Sequence, residues 1–230
     1  MPITVLTAHD YPSARFIEAS SAPAPPHPAP DDAASPAAPR GIDICLVGDS
    51  LAMVACGYTS TTSLTMPELL FHCRSVARGC TTSLLLADMP FGSFIPSVAH
   101  GVIAATQLIQ EGNMDAVKIE GGQDVLELVH RLTSVGIPVM GHVGLTPQRQ
   151  SALSGFRVQG KTAESAFGVW QDALALQEAG AFAILLEAIP TRLGRFISEN
   201  LDIPTIGIGA GMGCDGQVLV QLDMMGVRSL

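Results

Sequence analysis

Short apolar runs that each end in an ionisable residue are the clearest pattern along this chain. Five such runs end at Asp49, Asp88, Glu120, His142 and Glu187. Short apolar runs separated by turn-forming residues are typical of parallel strands buried on both faces. Because the carboxyl ends of the strands in a (β/α)₈ barrel meet at one mouth, four carboxylates and a histidine at strand ends indicate a single ring of side chains.

The runs form part of a longer alternation of strands and helices. Eight strands are predicted, at residues 3–8, 42–48, 83–88, 115–120, 138–143, 182–187, 204–208 and 217–222. Helix-like segments lie between several of them, at 67–78, 97–111, 123–135, 163–179 and 191–200. This βα repeat gives either a closed barrel or an open doubly wound sheet. Eight strands with acids at several ends favour one (β/α)₈ barrel domain spanning 1–230.

Two segments depart from the repeat. Residues 21–40 contain seven prolines and no large apolar side chain. This composition predicts a disordered or polyproline-like insertion in the first helix. The chain also lacks an eighth helix pattern after strand eight, which predicts an apolar outer face without a cover and a marginally stable or aggregating chain.

Composition excludes some classes of partner. Hydrophobic residues make up 47% and charged residues 14% of the chain, against roughly 25% charged in an average protein. A net charge of −9 argues against nucleic acid, and no apolar run approaches the ~20 residues of a membrane span. Five scattered cysteines suit a reducing compartment. The chain starts directly on a strand pattern, so no targeting segment is expected in it, and we expect the cytoplasm or mitochondria.

The carboxylates at three of the strand ends suggest a metal site. Asp49, Asp88 and Glu120 would be hard oxygen ligands suited to Mg²⁺ with open positions for water or substrate. Each of them alone is more readily explained as a helix cap or a loop charge. Their shared position at one rim favours the metal site.

The other polar residues at strand ends leave two interpretations open. Lys118 lies two residues before Glu120 and so faces the same side of its strand; it either pairs with a carboxylate or holds a substrate carboxylate. His142 is either a core histidine or a site residue. Glu187 ends the most apolar strand, where burial raises a carboxyl pKa towards that of a general base, unless it pairs with an arginine such as Arg192.

Two glycine-containing stretches resemble nucleotide motifs. Residues 155–162 match the Walker A pattern, but a phosphate-binding loop must leave a buried strand directly and the preceding 148–154 are mostly polar. The glycines of 207–213 do not fit Gly-x-Gly-x-x-Gly, so they are better explained as small residues at a strand end that let backbone or ligand approach.

Several longer motifs follow one another along the chain. They are Leu-Val-Gly-Asp-Ser-Leu at 46–51, Leu-Leu-Leu-Ala-Asp-Met-Pro at 84–90, Val-Lys-Ile-Glu-Gly-Gly at 117–122, Gly-His-Val-Gly-Leu-Thr-Pro-Gln at 141–148, and shorter stretches at 158–160, 186–187 and 206–211. In this order they resemble the ketopantoate hydroxymethyltransferase (3-methyl-2-oxobutanoate hydroxymethyltransferase) family. Residues 7–11 are similar too, although His9 stands where the family more often has Tyr. The resemblance covers nearly the whole chain outside 21–40.

The resemblance implies a (β/α)₈ TIM barrel of the phosphoenolpyruvate/pyruvate type that requires Mg²⁺. It implies transfer of a hydroxymethyl group from the co-substrate 5,10-methylenetetrahydrofolate to 3-methyl-2-oxobutanoate, giving 2-dehydropantoate for pantothenate synthesis. It also implies a homo-oligomer, a decamer in the family, with no nucleic-acid or membrane partner.

The resemblance also implies a role for each matching residue. The metal site would be Asp49, Asp88 and Glu120. The substrate contacts would be Asp49, Ser50, Asp88, Lys118 and His142. The catalytic base would be Glu187.

The family normally has an N-terminal helix before strand one and helices after strand eight, and both are missing from the pattern. Three alternatives to this reaction stay open. One is another Mg²⁺-enolate enzyme of the same barrel group, such as a carbon–carbon lyase. The second is a nucleotide-hydrolysing protein that uses 155–162, and the third is a truncated, non-catalytic form that acts only within oligomers.

Overall fold

A closed barrel of eight parallel strands forms the centre of the molecule. The computed structural model describes residues 2–21, 41–150 and 155–227. The strands follow one another around the barrel in sequence order, and β8 pairs with β1 to close it. They are β1 (Ile3–Thr7), β2 (Ile44–Val47), β3 (Leu84–Asp88), β4 (Ala116–Glu120), β5 (Val139–Gly144), β6 (Ala183–Glu187), β7 (Thr205–Ile208) and β8 (Gly216–Leu219).

Helices connect successive strands on the outside. They are α1 (Tyr11–Ser20), α2 (Leu51–Val54), α3 (Met66–Ala77), α4 (Val98–Gln110), α5 (Leu126–Ser134), α6 (Ala163–Glu178), α7 (Thr191–Asn200) and α8 (Gln221–Met224). The five predicted helices are confirmed, except that 123–125 forms a 3₁₀ turn ahead of α5. The sequence analysis expected a first helix before the insertion at 21–40, without giving its bounds, and did not predict α2 and α8. None of the helices in the described ranges is long and apolar enough to span a membrane.

Local sequence signals fix where the helices begin. Thr65 and Glu68 form a capping box at the start of α3, with Pro67 in its first turn. Thr162 and Ser165 form another at the start of α6. Such boxes satisfy backbone N–H groups that have no partner within the helix, so these two boundaries follow from nearby residues.

The strands are apolar on both faces because they separate two hydrophobic layers. Alternate residues fill the barrel interior, among them Leu46 on β2 and Met140 on β5. Their neighbours point outwards and pack under the helices, as Val47 and Val143 do. This double burial explains the continuous apolar runs of the sequence.

The strand register aligns the ionisable residues at one end of the barrel. Asp88 is level with Lys118 on the neighbouring strand, and Glu120 is level with His142. Glu187 is level with Gly144. The carboxyl ends of β3, β4, β5 and β6 therefore present their polar side chains to the same mouth.

The last strand is shorter than predicted. The sequence pattern extended it over 217–222, but Gln221 already begins the single helical turn of α8. Within β8, Val218 is buried in the barrel whereas Leu219 is half exposed. The predicted insertion at 21–40 lies outside the described residues, except for Ser21.

Candidate active site

A cavity of about 430 Å³ opens at the carboxyl end of the barrel strands. Apolar side chains such as Leu46, Leu185 and Val218 line part of its wall. All seven residues singled out in the sequence line it as well: Asp49, Ser50, Asp88, Lys118, Glu120, His142 and Glu187. The structure therefore brings the predicted site residues together, while their individual roles stay predictions.

Asp49 and Asp88 are neighbours at the ends of β2 and β3. The backbone N–H of Asp49 donates to Oδ2 of Asp88 over 2.9 Å, and both side chains are buried. Burial, together with the nearby carboxylates of Asp88 and Glu120, raises the pKa of Asp49 well above its usual range. Two buried carboxylates this close repel each other when both are ionised, and a nearby cation stabilises their ionised form.

Lys118 places a positive charge next to these carboxylates. Its Nζ lies 3.0 Å from Oδ1 of Asp88 and 3.0 Å from Nδ1 of His142. Burial disfavours the charged ammonium, but Asp88, Glu120 and Asp49 outweigh it and raise the pKa of Lys118 above its usual value. Of the two roles considered for Lys118, the structure therefore shows the pairing with a carboxylate, and its place in the cavity wall leaves a substrate contact open.

His142 connects Lys118 to Glu187. Burial and the neighbouring Lys118 lower the pKa of His142 well below its usual value, so the imidazole is neutral. An ammonium group can only donate, so Nδ1 of His142 accepts from Lys118 and the ring proton resides on Nε2. Nε2 lies 3.1 Å from Oε2 of Glu187, in a direction that does not make a hydrogen bond.

Glu187 has the properties of a base that works near neutral pH. Burial raises its pKa to about 7, although 20% of its side chain is exposed, as expected for a residue at a cavity wall. Burial likewise raises the pKa of Glu120 to about 7. The contact of Glu187 with His142 takes the place of the arginine pairing considered from the sequence.

Gln148 is a site residue that the sequence analysis did not assign. It lies in a 3₁₀ turn, Pro147–Arg149, that follows β5. The side chain is buried, and its Nε2 donates to Oδ2 of Asp49 over 2.8 Å. The only signal in the sequence was its place at the end of the 141–148 motif, because a glutamine carries no charge that would mark it as a candidate.

The nucleotide-binding alternative does not agree with the fold. Residues 155–162 do not leave a strand, because β5 ends at Gly144 and the 3₁₀ turn Pro147–Arg149 lies between. Lys161 is exposed, and Thr162 caps α6. Phe156 from this stretch instead lines the wall of the cavity. The Walker-like spacing is therefore a helix start preceded by a loop.

The carboxylate oxygens of the cavity suit a Mg²⁺ ion that completes its coordination shell with water and substrate. Within the described ranges, no group of three or more His, Cys, Asp or Glu side chains is arranged to hold a metal ion alone. Mg²⁺, however, usually takes only one or two protein carboxylates and completes its shell with waters and substrate oxygens. Asp49, Asp88 and Glu120 are all buried, and all three line the cavity, so the donor set fits this ion.

Comparison with solved structures supports the barrel fold. A phosphonopyruvate hydrolase, solved as a complex with oxalate and Mg²⁺, aligns with a TM-score of 0.68 at 13% identity, over 98% of this chain and 78% of that one. A putative phosphonomutase from Burkholderia cenocepacia aligns with a TM-score of 0.71 at 10% identity, over 98% and 90%. The closed sheet of eight parallel strands and the cavity at their carboxyl ends define a (β/α)₈ barrel protein.

Sequence comparison narrows this class to one family. The sequence profile of the ketopantoate hydroxymethyltransferase family matches residues 31–230, and the chain belongs to that family. The 3-methyl-2-oxobutanoate hydroxymethyltransferase of Emericella nidulans is 48% identical over 98% of this chain, which spans 59% of that protein's length. The enzyme of the same name from Carboxydothermus hydrogenoformans is 47% identical, and the chain spans 74% of its length.

Proposed function

We propose that the chain catalyses transfer of a hydroxymethyl group to 3-methyl-2-oxobutanoate, giving 2-dehydropantoate, with 5,10-methylenetetrahydrofolate as the donor. Membership of the family supports the reaction. The observation that carries the mechanism is the position of Glu187, a carboxyl with a pKa of about 7, at the wall of a cavity that also contains Lys118.

Lys118 is proposed to bind the carboxylate of the oxo acid. Its ammonium is buried and charged, and it contacts Asp88 and His142, so its position is fixed before substrate enters. Ser50 lies at the same wall and offers a hydroxyl to the acid. The apolar side chains Leu46 and Leu185 line the cavity as well and suit the branched alkyl end of the substrate.

Asp49, Asp88 and Glu120 are the residues that would hold Mg²⁺, one or two of them directly and the rest through its waters. When bound, the ion would act as a Lewis acid for the negative charge that develops on the oxo acid as its C3 proton leaves. The phosphonopyruvate hydrolase crystallised with oxalate and Mg²⁺ shares the fold of this chain, and oxalate is, like the oxo acid, a small acid with adjacent oxygens.

Glu187 is proposed to accept the C3 proton. A base is most effective when its pKa is close to the working pH, and such a group typically contributes ~10²–10⁴-fold to the rate. Nε2 of His142 lies 3.1 Å from Oε2 and borders the carboxylate on one side. The carbanionic C3 then bonds to the methylene carbon of the folate, whose two carbon–nitrogen bonds break in turn, and one water supplies the hydroxyl of the product as tetrahydrofolate leaves.

Glu187→Gln tests the base because it keeps the size of the side chain and removes its basicity. Exchange of the C3 proton of 3-methyl-2-oxobutanoate with deuterated water, followed by NMR with Mg²⁺ and without folate, should fall ~10²–10⁴-fold. Binding of the oxo acid, measured by calorimetry, should stay within a few-fold of the original protein.

The control is Glu164→Gln, an exposed glutamate in the first turn of α6, which should exchange at the original rate. Unchanged exchange in Glu187→Gln would assign the base to another residue. Exchange by the original protein without product formation when methylenetetrahydrofolate is added would exclude the folate as donor and favour a different enolate-forming reaction.

A further inference from the structure

The turn that follows β5 connects the ends of four strands at the acidic side of the cavity. The backbone N–H of Leu145 donates to the carbonyl of Glu187 on β6 over 2.8 Å. Arg149 forms an ion pair with Asp124, in the loop after β4. Gln148, between these two fixed points, therefore has little freedom to move away from the cavity.

Gln148 makes three hydrogen bonds with the ends of β2, β3 and β4. Its Nε2 donates to Oδ2 of Asp49 over 2.8 Å and to the carbonyl of Met89 over 3.0 Å. Its backbone N–H donates to Oε2 of Glu120 over 3.0 Å. One residue thus contacts two of the three carboxylates proposed to hold the metal.

The carbonyl of Met89 determines which way the Gln148 amide faces. A backbone carbonyl can only accept, so the atom beside it must be the amide nitrogen, which carries two hydrogens. One hydrogen is used by Met89, and the other is directed at Asp49. The donor that faces Asp49 is therefore held by the backbone after β3, independently of any charge in the cavity.

We propose that Gln148 is a positioning residue for the metal site: its amide fixes Asp49, and its backbone N–H fixes Glu120, before the ion binds. This inference rests on the proposed function. Buried like charges repel one another, and a neutral donor holds an acid in place without compensating the charge that attracts the cation. Partners that orient metal ligands typically account for 10–100-fold in metal affinity.

Gln148→Met tests this role because methionine has a similar length and no donor. Mn²⁺ serves as the probe, since carboxylate sites that suit Mg²⁺ also take Mn²⁺, and electron paramagnetic resonance reports free Mn²⁺ directly. We expect the Kd for Mn²⁺ to rise 10–100-fold. Saturating Mn²⁺ should restore most of the C3 proton exchange, because no reacting group has been removed.

Gln150→Met is the matched control. Gln150 lies two residues further along and donates to the hydroxyl of Ser60 over 2.8 Å. This variant should bind Mn²⁺ with the original Kd. The melting temperature of each variant without metal separates a local effect from unfolding, and Gln148→Asn, whose shorter amide does not reach both partners, provides a second test if Gln148→Met does not fold.

The outcomes separate this inference from the proposed function. If the original protein binds no Mn²⁺, the proposed metal site itself is wrong. If the original protein binds Mn²⁺ and folded Gln148→Met binds it equally well, only the positioning role is overturned. A weaker Kd in Gln148→Met that is matched by Gln150→Met would show a general effect of the turn and would also overturn it.

Discussion

At the scale of single residues, burial rather than a charged partner determines the chemistry of Glu187. The carboxyl stands at the end of an apolar strand, and loss of solvent raises its pKa to about 7. Lys118 acts in the opposite direction on the same pKa, yet desolvation is the larger effect. A base that is half ionised at neutral pH can accept a proton and release it again within one turnover.

The rate of C3 proton exchange should therefore rise with pH, as expected for a reaction that needs an ionised base. Glu187 accepts a proton only when ionised, so kcat/KM for exchange should rise about tenfold per pH unit below pH 7 and level off above it. The measurement is NMR exchange between pH 5 and pH 9 in saturating Mg²⁺. The residual exchange of Glu187→Gln should lack this rise, whereas a flat profile in the original protein would contradict the assignment.

At the scale of elements, the start of α6 shows how a helix cap can imitate a functional motif. The side chain of Thr162 accepts from the backbone N–H of Ser165, and Ser165 bonds back to the backbone of Thr162. The Thr that follows Lys161 would bind a metal in a Walker A motif, but here it caps a helix. The preceding Gly160 has a positive φ of 72° and lies close to Leu193, so the glycine of the motif also has a structural explanation.

Substitutions at these two neighbouring positions distinguish the explanations. Thr162→Ala removes the cap and should lower the free energy of unfolding by about 1 kcal/mol, measured by urea denaturation. Lys161→Ala changes an exposed side chain and should leave both stability and activity unchanged. Binding of ATP that depends on Lys161 would contradict this and restore the nucleotide-binding hypothesis.

At the scale of the whole molecule, closure of the barrel concentrates negative charge in one buried place. Asp49, Asp88, Glu120 and Glu187 all line one cavity, and Lys118 is the lysine that lines it with them. The strands that carry these residues are hydrogen-bonded into one closed sheet. A cation that binds there should therefore stabilise the barrel as a unit.

Mg²⁺ should raise the melting temperature of the metal-free protein. A ligand at 100 times its Kd adds about 2.7 kcal/mol to the free energy of unfolding, which corresponds to roughly 5–10 °C for a chain of this size. Differential scanning calorimetry at pH 8 with increasing Mg²⁺ measures this. Asp49→Asn should reduce the gain, while an equal gain in that variant would place the stabilising ion elsewhere.

The sequence by itself determined the elements and the location of the site. Apolar runs, helix-ending glycines and a Pro at a helix start are local signals, and they predicted all eight strands and five of the helices within a few residues. Residues at strand ends were predicted to share a mouth because the geometry of parallel strands requires it. Short helices such as α2 and α8 have too few residues for a repeating pattern of apolar and polar positions to be recognised.

Only the tertiary structure decided which of these residues interact. Lys118 lies close to Asp88 and His142, and Gln148 to Asp49, because strand register and barrel closure bring together positions far apart in sequence. The raised pKa of Glu187 depends on how much water the folded chain removes from around it. Contact and desolvation are properties of the closed barrel, and a linear pattern of apolar and polar residues specifies neither.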